Sequence, residues 1–313
     1  MRPDMTKLLV LSTLILTVLA AIAAGCGGTE KETLVIAVQP SATQEELSTQ
    51  ARELEEFLED RVAADIELRF PTTYAGVIEA LRFGHADAAF MSAWPASLAS
   101  KHAGADVVLA EIRDVTIGDD KVQEPYYFSY WIVPKDSPYR SIEELEGKNV
   151  AFPSQLSTSG YVAPVARLVQ LGLIEAAAED QANPDDYFGN VLFAGGYSQA
   201  WEALKAGQVD VTVIAGDVPE DLYRDVLDNT KVLEEQGPIP SHAVVFSKDL
   251  MDPLRGDLRE ALMDLGADEH RELMRKFVSG IFVRFQVTTT EEHLGSLNSF
   301  LSDTGLAFTE RLQ

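Results

Sequence analysis

One pattern occurs twice in this chain and limits its architecture more than any other feature. Tyr74-x-x-x-x-Glu79-Ala80-Leu81-Arg82-x-Gly84-x-x-Asp87 returns as Tyr197-x-x-x-x-Glu202-Ala203-Leu204-Lys205-x-Gly207-x-x-Asp210, each matched position 123 residues after its counterpart, as Tyr197 is after Tyr74. Each copy reads as an amphipathic helix ended by a glycine cap. A short apolar run follows each, Ala88-Ala89-Phe90-Met91 and Val211-Thr212-Val213-Ile214. A helix feeding a buried strand is half of a parallel α/β unit. Helix, glycine and strand are common grammar, but identities or near-identities at one fixed offset weigh against coincidence. Two copies are too few for a solenoid, so the pattern predicts two similar α/β lobes. Further strand-like runs are Leu34–Val38, Ile66–Leu68, Tyr130–Val133, Val191–Phe193 and Ala243–Phe246. Open α/β sheets bind ligands beyond the carboxyl ends of their strands, often where two domains meet, so the expected site is the cleft.

A candidate for that site is Ser157-Thr158-Ser159-Gly160-Tyr161. The strand-like Asn149–Phe152 and a Pro153-Ser154-Gln155 turn precede it, and Val162, Val165, Leu168 and Val169 follow at helical spacing. The hydroxyls therefore fall at a helix N-terminus, where unpaired N–H groups and the positive dipole end suit an anion, with Ser and Thr as added donors. Gly160 is read as letting a ligand approach the backbone. The competing reading is an ordinary N-cap by Ser157. Pro164, inside the helix, is expected to bend its second turn.

Arg2 and Lys7, the apolar run Leu8–Ala24, and then Gly25 and the single cysteine Cys26 read as an export signal over residues 1–25 with a lipoprotein processing site. Ala23 stands where leucine is commoner, and an uncleaved membrane anchor is the alternative. Either reading places the folded part at the outer face of the cell membrane, tethered, with Cys26 as the lipid attachment and 26–33 as a flexible leash. Fifty acidic against twenty-five basic residues give a net charge of −25. That argues against nucleic acid and against charge-driven binding to anionic lipid. The acids are dispersed, as a solvated surface would have them. Bound anions would therefore be held by local donors, the overall field being screened within about 8 Å at physiological salt.

Tyr74–Asp87 with its strand, Tyr127–Pro138 (Tyr-Phe-Ser-Tyr-Trp-Ile-Val-Pro-Lys-Asp-Ser-Pro) and Ser157–Pro164 together resemble the substrate-binding lipoproteins of phosphate, phosphite and phosphonate ABC transporters, the PhnD-like family. The likeness runs from about Leu34 to Asp249, and Ser-Thr-Ser-Gly-aromatic-x-x-Pro is its most specific part. It implies a type II periplasmic-binding-protein fold: two α/β lobes, 34–128 plus 246–313 and 129–245, joined by two crossings near Ser129–Pro134 and His242–Phe246. It also implies that Ser157, Thr158, Ser159 and the Gly160 amide hold phosphoryl oxygens, with Tyr74 approaching from the first lobe and Tyr127 from beside the hinge. Relatives that prefer aminoalkyl phosphonates place acids near the positions of Asp217 and His242. Asp217 is still acidic, or else a helix N-cap before Val218-Pro219-Glu220; His242 cannot be a permanent anion and is either a donor to the ligand or a hinge residue. This favours phosphate, phosphite or a small alkylphosphonate. Ser92-Ala93-Trp94 should face the cleft, with Trp94 walling the pocket or simply packing. The chain is expected to act as a monomer that delivers ligand to a membrane permease, without cofactor or metal.

An enzyme with Ser157 as nucleophile and His242 as base is the rival class. There is no Gly-x-Ser-x-Gly elbow, and the five histidines include no pair at i, i+4. A tethered anion sensor would have the same cleft. Donor geometry alone does not separate phosphorus anions from sulfonate, sulfate or carboxylate.

Overall fold

In the computed structural model, residues 31–39, 44–117, 120–175, 181–218, 220–277 and 280–304 are described. The export signal, Cys26 and residues 27–30 of the leash lie outside them, and the leash ends earlier than expected, because Glu32 and Thr33 already begin a strand. Among the described residues, no helix is long and apolar enough to cross a membrane.

The strands form two sheets. The first contains β1 (Glu32–Val38), β2 (Ala64–Arg69), β3 (Ala88–Met91), β4 (Asp106–Ile117), β5 (Asp120–Glu124), β11 (Ala243–Phe246) and β12 (Phe282–Val287), in the order β12-β4-β11-β3-β1-β2 with β5 on β4. The second contains β6 (Tyr126–Pro134), β7 (Asn149–Phe152), β8 (Asn190–Phe193), β9 (Val211–Ala215) and β10 (Thr230–Pro240), in the order β10-β6-β9-β7-β8. The helices in chain order are α1 (Gln44–Glu59), α2 (Tyr74–Arg82), α3 (Ala93–Ala103), α4 (Ala163–Gln170), α5 (Tyr197–Lys205), α6 (Glu220–Asn229), α7 (Leu254–Asp264), α8 (Arg271–Phe277), α9 (Thr290–His293) and α10 (Gly295–Thr304).

The repeat is reproduced from the helix ends to the strand entries. In the first copy α2 ends at Gly84, φ +69°, and in the second α5 ends at Gly207, φ +66°, the left-handed conformation glycine adopts without a Cβ clash. Strand β3 then pairs in parallel with β1, and β9 with β7. At the strand entries Asp87 N–H donates to Val35 O at 2.8 Å and Asp210 N–H to Asn149 O at 2.8 Å. Their carboxylates accept from the same partners, Val35 N–H at 2.8 Å and Asn149 N–H at 2.9 Å. The aspartate thus ties its strand to the neighbouring one through both main chain and side chain.

Both crossings lie earlier in their segments than the resemblance implied. Ser129–Pro134 is inside β6, with Ser129–Ile132 hydrogen-bonded to β9 on one side and the strand paired with β10 on the other. The first crossing is instead Pro125, between β5 and β6. The second is Ser241-His242, so Ala243–Val245 belong to the first sheet, paired with β3 and β4. The two crossings touch, Ser241 N–H donating to Pro125 O at 2.9 Å. The C-terminal segment also departs from its expected place on the first lobe. Thr290 holds the first sheet, its Oγ1 accepting from Val107 N–H at 3.0 Å, but α10 passes over to pack on α4 and β10. Leu297 and Phe300 of α10 need an apolar surface, and they join the cluster that contains Val162 and Val165.

That cluster fills one face of the first sheet and runs on into the second; a separate one, with Leu54, Leu58, Phe246 and Phe282, fills the other face of the first sheet. Behind the Ser157 loop, Trp131 lies edge-on to Phe152 at 5.6 Å and Tyr161 edge-on to Phe152 at 5.3 Å. Tyr161, the aromatic of the loop motif, is therefore its anchor in the core.

Candidate functional site

The Ser157 loop begins a helix, as its sequence indicates, but with a wider first turn. Thr158–Val162 forms a π-type turn before α4, with Val162 N–H donating to Ser157 O at 3.1 Å. Pro164 has no N–H to give and falls in the first turn of α4, where none is needed. Instead of bending a second turn, the proline is accommodated at the junction of the two helical segments.

Ser157 is the N-cap: its Oγ accepts from Gly160 N–H at 3.0 Å. The Gly160 amide is thereby occupied, while the Ser157 hydroxyl keeps its proton for another acceptor. A Cβ on Gly160 would stand 2.3 Å from Pro153 Cγ and 2.7 Å from Ser157 Oγ. The glycine makes room for the proline and the cap. Thr158 Oγ1 accepts from Trp94 N–H at 2.9 Å, so the start of α3 in the first lobe meets the loop of the second. Trp94 is buried, and the buried Ser92 Oγ beside it has no hydrogen-bond partner. Two helix N-termini, from α3 and from the loop, face each other here, and both ends are electropositive.

Tyr127 and Tyr197 flank Ser159, and Tyr74 joins them in the neighbourhood of Asp217. Tyr127 OH donates to Ser159 Oγ at 2.9 Å, and Tyr197 OH is 2.7 Å from the same oxygen. Tyr74 and Tyr197, first residues of α2 and α5, are equivalents in the repeat, yet only Tyr74 was singled out from sequence. Burial raises the phenol pKa of all three, and the Asp217 carboxylate raises each further. They therefore remain neutral donors. Tyr74, Tyr127, Ser157, Thr158, Ser159 and Asp217 are brought together, with Tyr197 as an addition.

Asp217 follows β9 and its carboxylate accepts from Arg113 Nη1. Arg113 Nη2 donates to Glu111 Oε2 at 2.6 Å, and the side chains of Glu111 and Arg113 are each 1 % exposed. Burial pulls the guanidinium pKa down, but the two carboxylates raise it more. Burial raises Asp217 against the opposing pull of Arg113. Neither Glu111 nor Arg113 was expected from sequence. They alternate on β4, a spacing that reads as a solvated face, yet both are buried, with Arg113 against Asp217 of the second lobe.

His242 stands apart from the hydroxyl loop. Ser92 N–H donates to Gln39 Oε1 at 2.7 Å, which fixes the amide so that its NH2 faces His242 Nε2 at 3.3 Å. Nε2 is then the acceptor, and Nδ1 lies 4.0 Å from Glu111 Oε2. Burial first, then Arg113 and His293, hold the His242 pKa well below its usual value, so the ring is neutral. The His242 main chain lies in the second crossing, its carbonyl accepting from Glu111 N–H at 2.9 Å.

The chain matches, over residues 36–292, the model of the periplasmic substrate-binding proteins of phosphonate ABC transporters. It belongs to that family. The phosphate-import protein PhnD of Mycolicibacterium smegmatis is 25 % identical over 202 residues, 61 % of this chain and 60 % of that one. The phosphonates-binding periplasmic protein of Escherichia coli is 25 % identical over 244 residues, 76 % of this chain and 67 % of its own. The match thus spans about three-fifths of the first relative's length. In fold, the chain resembles a binding protein component of an ABC phosphonate transporter from Pseudomonas aeruginosa, with TM-score 0.68, 19 % identity and 87 % of both chains covered. It also resembles PhnD1 of Prochlorococcus marinus in complex with methylphosphonate, with TM-score 0.66, 14 % identity, and 88 % of this chain and 98 % of that one covered. The type II binding-protein fold expected from sequence is the fold found.

Proposed function

We propose that this chain is the extracytoplasmic receptor of an ABC importer, capturing phosphate, phosphite or a small alkylphosphonate between its lobes and passing it to a membrane permease. The observation that carries the reading is the convergence of the Ser157–Ser159 hydroxyls with those of Tyr127 and Tyr197 where the α3 N-terminus meets the loop, at the Thr158–Trp94 bond, with the neutral Tyr74 phenol near the same Asp217 carboxylate. Each member carries one hydroxyl proton: those of Ser157, Thr158 and Tyr74 and one of the Ser159–Tyr197 pair can be turned to an oxyanion, Tyr127 donating to it only by exchanging its bond to Ser159, and the two helix dipoles favour negative charge. Micromolar capture needs about 8 kcal/mol, and charge-assisted hydrogen bonds contribute about 1.5 to 3 kcal/mol each before ordering costs, so four to six donors suffice. The residues assigned to the ligand are Tyr74, Tyr127, Ser157, Thr158, Ser159 and Tyr197. Gly160 supports the loop, and Asp217 and His242 act through neighbours.

In this reading nothing is chemically transformed. His242, neutral and engaged by Gln39 through Nε2, is not placed as a base for Ser157, whose Oγ caps the loop. The receptor acts as a monomer without cofactor or metal and is held to the membrane by lipid on Cys26. Calorimetric titration with phosphate, phosphite and methylphosphonate tests the function. Thr158→Ala and Tyr74→Ala should each weaken binding at least severalfold while leaving the fold intact. No binding of any of these anions would refute the function, and unchanged affinity in both variants would refute the site.

A further inference from the structure

The buried guanidinium of Arg113 is not explained by anion capture through hydroxyls. It stands on β4 of the first sheet and reaches Asp217 at the end of β9 in the second, so the ion pair spans the cleft. It binds Glu111 at the same time, and Tyr127, which donates to Ser159, has its ring centre 5.9 Å from the guanidinium carbon. Arg113 Nε is buried without a partner. Two carboxylates and one guanidinium are thus set directly behind the hydroxyls that would hold a ligand.

We propose that Arg113 is the specificity residue of the cleft, occupying Glu111 and Asp217 so that the site accepts oxyanions and rejects ligands that add an ammonium group. This rests on the anion-capture reading above and deepens it. A ligand ammonium needs an acidic partner, and within this group only Glu111 and Asp217 are acidic. Both hold Arg113. To take Asp217 the ammonium would have to displace a guanidinium that has nowhere else to go, leaving it charged and unpaired in the interior, which is strongly unfavourable. His242 offers no substitute, because it is neutral and its acceptor nitrogen is taken by Gln39. Arg113 serves the anion as well: without it two carboxylates would repel a phosphoryl group bound at Ser159. Removing Arg113 should therefore have opposite consequences for two ligands that share the phosphonate group, which a simple loss of packing would not produce.

The test is calorimetry on the full chain with methylphosphonate and 2-aminoethylphosphonate. The wild-type protein should bind methylphosphonate at least tenfold more tightly. In Arg113→Met the affinity for methylphosphonate should fall at least tenfold, and the ratio of the two affinities should move at least tenfold toward the amine. Asp217→Asn in that background should cancel the gain. Arg113→Lys, which keeps the charge, should keep the wild-type order of preference, and it provides the reading if Arg113→Met does not fold. The inference is overturned if the wild-type chain binds the amine-bearing ligand as tightly as methylphosphonate, if folded Arg113→Met leaves the ratio unchanged, or if Arg113→Lys inverts it. Failure of the wild-type chain to bind phosphate or either phosphonate refutes anion capture itself, and this assignment with it.

Discussion

Gly160→Ala separates the packing account of the loop from a propensity account, because the two differ in sign. In a helical segment Ala is favoured over Gly by about 0.8 to 1 kcal/mol, and φ at 160 lies outside the region where a side chain is strained, so propensity alone predicts a more stable protein. Sterics predict the reverse. The new Cβ would lie 2.3 Å from Pro153 Cγ, 2.9 Å from Pro153 Cδ and 2.7 Å from Ser157 Oγ. Pro153 cannot easily retreat: its ring is rigid, it is buried, and its carbonyl accepts from Gly195 N–H at 2.9 Å. Overpacking costs about 1 to 3 kcal/mol and loss of the Ser157 cap about 0.5 to 2 kcal/mol. Set against the propensity gain, the net loss should be about 0.5 to 4 kcal/mol, read as a lower urea midpoint at unchanged m-value. Phosphate affinity should fall with it, since Ser157 and Thr158 move. Gly207→Ala is the control: it has open space but φ +66°, so it should cost about 1 to 2 kcal/mol without touching affinity. A Gly160→Ala protein as stable as the wild type would refute the packing argument.

The duplication makes a paired prediction: Asp87→Ala and Asp210→Ala each remove an acceptor for a strand N–H, and each should lower stability by about 1.5 to 3 kcal/mol in urea unfolding, with similar values for the two. His242 and His293 both have pKa values lowered first by burial, so the unfolded chain binds more protons than the native one below about pH 6.5. Stability should therefore fall as the pH drops below 6.5, by about 1 kcal/mol between pH 6.5 and 5.5 from His242 and with a smaller contribution in the same direction from His293, and His242→Gln should reduce that slope. A pH-independent urea midpoint over this range would contradict it. Thr158→Ala also removes the acceptor for Trp94 N–H across the cleft, and small-angle scattering of the ligand-free variant should show a larger radius of gyration than the wild type.

The parts of the fold that were legible are those whose signal is local. Gly84 and Gly207 mark helix ends because φ is positive there, and Asp87 and Asp210 recur because each closes the same bond to a neighbouring strand. The hydroxyl loop was legible because cap chemistry and helical spacing coincide in a few residues. The crossings were misplaced because Ser129–Pro134 is an apolar run with the composition of a strand, and strand composition does not say where a strand enters its sheet. The position of α10 was missed for a related reason: Leu297 and Phe300 define an apolar face but not which surface covers it. Glu111 and Arg113 were hidden by the alternation that makes β strands readable, since charged residues two apart signal solvent unless another lobe covers that face.

How an acidic protein could hold an anion follows from where its charges are placed. A net charge of −25 is a property of the surface, and beyond about 8 Å it is screened at physiological salt. Inside the cleft the balance is set by a few groups. Glu111, Arg113 and Asp217 leave one formal negative charge among three, and burial, which raises the Asp217 pKa, acts to reduce it further. Against that stand two helix ends and a ring of hydroxyls in a medium where each interaction is stronger than in water. The duplication contributes directly: Tyr74 and Tyr197, each opening the helix of its own copy, bring equivalent phenols from the two lobes to the neighbourhood of one carboxylate. Because each lobe supplies only part of the donor set, neither lobe alone should hold the ligand well, and an anion that bridges them gains most when they are together. Coupling of capture to closure is then a consequence of dividing the donors between the lobes, with no separate switch required.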